Sequence, residues 1–217
     1  MRVRKMKRGD ERFAAVSSLA IPFDKENPEM LDLCALFPGF TRFRMEIGCG
    51  KGGFIAEEAR RHPDVAFLAV EKIRDVLIFA MEKTAAEELP NVRFLCADAE
   101  YLPRLVPENR FERLYINFCD PWPKARHEKR RLTYRGFLGK FRPLLSDDGF
   151  LAFKTDNRAL FDFSLGEFPE AGFELRAVTF DLHHSEWNEG NIMTEYEKNF
   201  SEKGFPIHRL EAVPVRK

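Results

Sequence analysis

Cysteine is scarce: the 217-residue chain has four, at positions 34, 49, 96 and 119, widely spaced and without a CxxC pair. That excludes a disulfide-stapled miniprotein and reads as buried free thiols in a reducing cytoplasm. Long apolar runs are missing too. The best are VAFLAV (65–70) and VLIFAM (76–81), far short of the roughly 18 residues a spanning helix needs, so no membrane association is expected. Glycine and proline number 13 each, too few for a collagen-like or low-complexity chain. His183 and His184 have no partners at metal-ligand spacing, so no metal site is expected. Internal repeats, Ser/Gly linkers and composition breaks are also absent. The expectation is one domain over 1–217, in which 1–40 form a basic N-terminal arm and a leading helical segment. No apolar segment follows the basic start MRVRKMKRGDER, so it is not read as a secretory signal.

Net charge is the last absence, with 35 Lys plus Arg against 35 Asp plus Glu. The average hides two cationic islands. Residues 1–12 hold six basic and two acidic side chains, and residues 122–135 hold six basic and one acidic. A neutral chain organised this way can bind phosphates locally and stay acidic elsewhere.

What is present is an alternation of short strands and amphipathic helices. Strands are expected at 42–48, 65–71, 91–98, 111–118, 149–156 and 173–182. Helices are expected at 54–62, after 71 (stripe Ile73, Val76, Leu77, Ala80, Met81), around 134–145 and at 159–168. TEYEKNF (194–200) and PIHRLEA (206–212) read as a closing strand and its partner. This rhythm implies an α/β, Rossmann-like architecture: a mostly parallel sheet, helices on both faces, and an antiparallel last strand.

At the first strand-to-helix junction stands EIGCGKGG (46–53). Glycines there let a ligand approach the backbone, and the helix start offers free N–H groups. Gly48, Gly50 and Gly53 satisfy GxGxxG, while Gly48, Gly50 and Gly52 satisfy GxGxG. The loop alone therefore admits either a dinucleotide or adenosylmethionine. The strand ends weigh in. Glu46 precedes the loop, Glu71 closes the second strand 23 positions after Gly48, Asp98 closes the third, and Asp120 follows the fourth. Four carboxylates at the carboxyl ends of strands repel a pyrophosphate and suit the sulfonium and ammonium groups of adenosylmethionine.

After the fourth strand comes NFCDPWPKARHEKRR (117–131). Two prolines around Trp122 stiffen the path, and a dense cationic run follows. A rigid aromatic beside such a run is a clamp for nucleic-acid phosphates and a stacked base. Lys154-Thr155-Asp156 brings another carboxylate to a strand end, and the polar loop before Thr194 is long enough for a lid or substrate loop.

In the order EIGCGKGGF, AVE, ADAE, NFCDPWPKARHEKRR, FKTDNR and GNIMTEYEKNF, the chain resembles bacterial tRNA (guanine-N7)-methyltransferases from about Glu46 onward. The resemblance implies a class I methyltransferase fold with a seven-stranded sheet and S-adenosylmethionine as methyl donor. It implies donor contacts by Glu46, Glu71, Asp98 and Asp120 beside Gly48 and Gly50, with Asp120 also catalytic. It implies tRNA or guanosine contacts by Lys124, Arg126, His127, Glu128, Lys129, Arg130, Arg131, Asp156, Thr194, Glu195, Tyr196 and Glu197. The implied product is 7-methylguanosine in the tRNA variable loop, made in the cytoplasm. Two rival readings are an NAD-dependent oxidoreductase, on GxGxxG alone, and a non-catalytic RNA-binding protein with a vestigial cofactor fold. The oligomeric state stays open between monomer and homodimer.

Overall fold

Apolar runs such as AFLAV lie buried along both faces of their strand, the pattern that a parallel sheet with covered faces imposes. In the computed structural model, residues 6–216 are described and fall into two units that divide after Leu105. Of the basic N-terminal arm, residues 1–5 lie outside the described residues.

The first unit contains α1 (Gly9–Ala15), β1 (Ala20–Ile21), α2 (Leu33–Leu36), β2 (Phe43–Ile47), α3 (Gly53–Arg61), β3 (Ala66–Glu71), α4 (Arg74–Ala86), β4 (Val92–Cys96) and α5 (Leu102–Leu105). Its four strands run parallel in the order β1-β4-β3-β2. Met45 pairs with Leu68, and Leu68 with Arg93, so the ends of β2, β3 and β4 come out level. Ile55 and Ala59 of α3 and Leu77, Ala80 and Met81 of α4 pack on Phe67, Ala69, Val92 and Phe94 of the sheet. Ile73, expected on the helical stripe, instead caps α4 in extended backbone and is 38% exposed.

The second unit contains β5 (Phe111–Asn117), a 3-10 segment at Ala125–Arg130, α6 (Arg135–Phe141), β6 (Leu145–Thr155), α7 (Arg158–Glu170), β7 (Phe173–Thr179), α8 (Glu195–Ser201) and β8 (His208–Pro214). The order is β5-β6-β8-β7. β5 and β6 are parallel, and the last strand, β8, is antiparallel to both β6 and β7. Asn157 begins α7 by accepting the Leu160 N–H at 2.8 Å, which fixes Asp156 in the turn between strand and helix.

Two expectations are corrected. The described residues hold eight strands, not seven, because the two residues of β1 add to β4. TEYEKNF is helical: Thr194 Oγ1 accepts the Glu197 N–H at 2.9 Å, and Tyr196 and Phe200, four apart, stack at 4.5 Å.

Candidate active site

In the first unit the glycine loop leaves β2 with three left-handed residues, at φ +81° (Gly48), +55° (Gly50) and +76° (Gly52). Their roles differ. A Cβ built on Gly48 or Gly50 meets nothing within 4 Å, so both face open space that a ligand can enter. A Cβ on Gly52 would stand 2.6 Å from Ala80 Cβ, so this glycine exists for the close approach of α3 to α4. Glu71 braces the loop: Oε2 accepts the Gly50 N–H at 3.1 Å, and Oε1 accepts the Ile73 N–H at 2.9 Å. A carboxylate has about four acceptor sites, so Glu71 keeps capacity for ribose hydroxyls. Asp98 accepts from Glu100 N–H at 3.1 Å and pairs with Lys72 at 2.6 Å. Glu46 is buried in β2 beside Ala69.

Two thiols register the field of these acids. Burial pushes the Cys49 thiol well above its ordinary value, and the Glu46 and Glu71 carboxylates push it further. Burial and then Glu71 also raise Cys96. A negative potential beside an open glycine cradle fits a cationic, ribose-bearing donor and opposes a pyrophosphate. Glu46, Gly48, Gly50, Glu71 and Asp98 thus lie at the carboxyl end of one parallel layer.

In the second unit Asp120 is exposed on a loop whose backbone is forced. Phe118 (φ +52°) and Trp122 (φ +42°) both occupy left-handed space without being glycine, at about 1–2 kcal/mol each. Neighbours hold them there. The Phe118 N–H donates to Lys154 O at 2.9 Å. Arg131 donates from Nε to Pro121 O at 3.0 Å and from Nη2 to Trp122 O at 3.1 Å, with its guanidinium 4.2 Å above Phe163 of α7. Arg131, expected on the RNA, is therefore the clamp of the Asp120 loop.

The rest of this charged run divides by exposure. Lys124, Arg126, Lys129 and Arg130 point to solvent, while His127 and Glu128 are half-buried. Trp122 carries Arg130 5.1 Å over its ring and His127 edge-on at 5.7 Å, so it is a surface platform rather than core filling. Behind the loop, Arg135 grips Glu167 through its main-chain N–H and two guanidinium nitrogens at 2.7–3.0 Å, tying α6 to α7. Nothing in the sequence pattern marked that pair.

Asp156, two residues beyond Lys154, meets the first turn of α8. Burial, the Asp156 charge and hydrogen bond, and the Asp120 charge together raise the Tyr196 hydroxyl to about 12. Asp120 and Asp156 therefore act on one hydroxyl, on a residue still 45% exposed. Burial, then Asp120, likewise raises the Cys119 thiol to about 12. Glu195 is exposed and Thr194 is the helix cap. Glu197, expected on the tRNA, is 0% exposed in the ligand-free chain. Among the described residues, no cluster of His, Cys, Asp or Glu is arranged to hold a metal ion, and no helix is long and apolar enough to cross a membrane.

The family model described as "putative methyltransferase" matches residues 41–210. A tRNA (guanine-N(7)-)-methyltransferase of Lachnoclostridium phytofermentans is 52% identical over 177 residues, covering 82% of this chain and 83% of the relative. One from a Geobacillus species is 44% identical over 211 residues, covering 97% and 94%. Among solved structures, the 16S rRNA methyltransferase KamB superposes with a TM-score of 0.67 at 14% identity, over 90% of this chain and 96% of that one. That likeness carries the class I methyltransferase fold and no more.

Proposed function

This chain belongs to the tRNA (guanine-N(7)-)-methyltransferase family, and from that membership we propose how its residues divide the work on tRNA. Adenosylmethionine is the methyl donor, and the reaction moves its methyl group to N7 of a guanosine, which we place in the variable loop. On this reading residues 1–217 act as a single methyltransferase domain, working in the cytoplasm.

Bound adenosylmethionine supplies an electrophilic sulfonium methyl. Gly48 and Gly50 leave room for it, Glu46 and Asp98 supply negative charge, and Glu71 accepts from the ribose. Guanine N7 carries a lone pair and no proton, so no side chain need act as base there. The protein's task is alignment and charge. Asp120 and Asp156 accept hydrogen bonds from the guanine edge and stabilise the positive charge that grows on the base. Asp120 is the catalytic residue of the pair, on the loop held rigid by Arg131. Lys124, Arg126, Lys129 and Arg130 hold tRNA phosphates, and Trp122 offers a ring for stacking.

The observation that supports this reading is the open cradle at Gly48 and Gly50, braced by Glu71, whose carboxylate accepts the Gly50 N–H at 3.1 Å. The test is methylation of unmodified tRNA transcripts with labelled donor, followed by mapping of the modified base. Asp120→Ala, at an exposed position, should fold normally and lose about 100-fold or more in turnover on saturating tRNA. Near-normal turnover would overturn the catalytic assignment, and tight NAD binding without methyl transfer would overturn the function.

A further inference from the structure

The mechanism above leaves unused a buried charge cluster in the second unit. Lys154, the penultimate residue of β6, is 5% exposed, and its ammonium group spends all three donors. Nζ donates to Asn191 Oδ1 at 2.9 Å, to Ile192 O at 2.9 Å and to Glu197 Oε2 at 2.7 Å. Glu197 is fully engaged in turn. Its Oε1 accepts from Asn191 Nδ2 at 2.8 Å and meets His183 Nε2 at 2.8 Å. The other His183 nitrogen meets Ser201 Oγ at 3.2 Å, one helical turn further along α8. The carbonyl of Lys154 receives the Phe118 N–H at 2.9 Å, and its ammonium lies 5.8 Å above the Phe118 ring. That ring in turn lies 5.0 Å from Tyr196.

One residue therefore touches three pieces of the guanosine side: the start of the Asp120 loop through its main chain, and the 188–192 loop and α8 through its side chain. Asp156 follows it by two positions. A buried ion pair is a poor source of stability, because desolvation cancels much of the attraction. What it supplies is direction: three acceptors around one tetrahedral ammonium fix where α8 begins.

We propose that Lys154 is a positioning residue for the methyl-accepting guanosine. Through Glu197, Asn191 and the Ile192 carbonyl it holds α8 so that Tyr196 meets Asp156. Glu197 is its counterpart and does not touch the tRNA. The proposal rests on the assignment of Asp120, Asp156 and Tyr196 to the guanosine.

Lys154→Met alone strands the Glu197 charge and is expected to unfold, so it decides nothing by itself. Two other variants carry the test. Lys154→Met/Glu197→Gln removes both charges together, and Lys154→Arg keeps the charge but presents a planar fork to acceptors placed for a tetrahedral donor. Both should melt within a few degrees of the parent and bind adenosylhomocysteine within twofold by calorimetry. Both should show an apparent KM for tRNA raised about tenfold or more. A tRNA KM within twofold of the parent in either folded variant overturns the proposal, because the cluster would then be packing only. An equal loss of adenosylhomocysteine binding also overturns it.

Hydrogen exchange over 188–196 in the ligand-free protein needs no substrate. It should quicken in both variants, and unchanged exchange counts against the proposal. A parent enzyme that fails to methylate tRNA would sink the functional reading instead, leaving the exchange result to judge the role of Lys154.

Discussion

Replacing the loop glycines one at a time by alanine separates ligand room from packing room. At Gly50 the backbone is at φ +55° and the new methyl group meets nothing within 4 Å, so the cost to the fold is the left-handed penalty of about 1–2 kcal/mol. At Gly52 the same penalty applies, and the methyl group also lands 2.6 Å from Ala80 Cβ and 2.8 Å from Ala80 Cα. Neither contact can swing aside, because both atoms belong to α4 itself. Forcing α3 off α4 adds roughly 1–3 kcal/mol, giving about 2–5 kcal/mol in all, a large share of a domain's typical 5–15 kcal/mol. Urea denaturation should therefore show Gly50→Ala mildly weakened and Gly52→Ala severely so. Calorimetry with adenosylhomocysteine should show the reverse emphasis: Gly50→Ala is folded yet binds at least tenfold more weakly, since its methyl group occupies donor space. Wild-type affinity in Gly50→Ala, or equal stability of the two variants, would refute the division of roles.

The basic loop should split in the same way. Lys124→Ala/Arg126→Ala should weaken tRNA binding and flatten its salt dependence with donor affinity intact. Arg131→Lys should instead lower turnover while leaving the salt slope alone, because Arg131 spends its fork on two carbonyls. If the Arg131 variant flattens the salt slope, it contacts phosphate after all. Acid should expose the buried cluster. Burial raises the Glu197 carboxyl, but Lys154, Asn191 and His183 outweigh it and hold the group below its ordinary value of 4.5. The stability it contributes is present above that value and is lost as pH falls through the lower folded one. Urea midpoints measured from pH 7 down to 3 should fall less steeply in Lys154→Met/Glu197→Gln than in the parent; parallel curves would contradict this.

Much of the fold was legible because the strands are short apolar runs closed by a carboxylate or a glycine. Phe43–Ile47, Ala66–Glu71 and Val92–Cys96 lie within the expected strands. β1 was not legible: two residues carry no periodicity, and only the β4 edge makes them a strand. TEYEKNF reads as a strand by its local polarity, which obscures the Thr-x-x-Glu spacing of a helix cap. In the candidate site, residue type pointed to the acids at the strand ends. It could not tell an arginine facing solvent from one turned back onto its own loop, as at Arg131, or an exposed glutamate from a buried one, as at Glu195 and Glu197. Those distinctions depend on long-range partners, Phe163 and Lys154, that no local pattern contains.

The pairing of Ala20 and Ile21 with Phe94 and Leu95 covers the outer rim of β4. In a chain shortened to the stretch that carries the family pattern, that rim would present bare amide and carbonyl groups flanked by apolar side chains. Such a rim invites another copy to add itself as a strand. The leading segment thus covers an edge that trimming would open, and a trimmed protein is expected to self-associate more readily than the full chain.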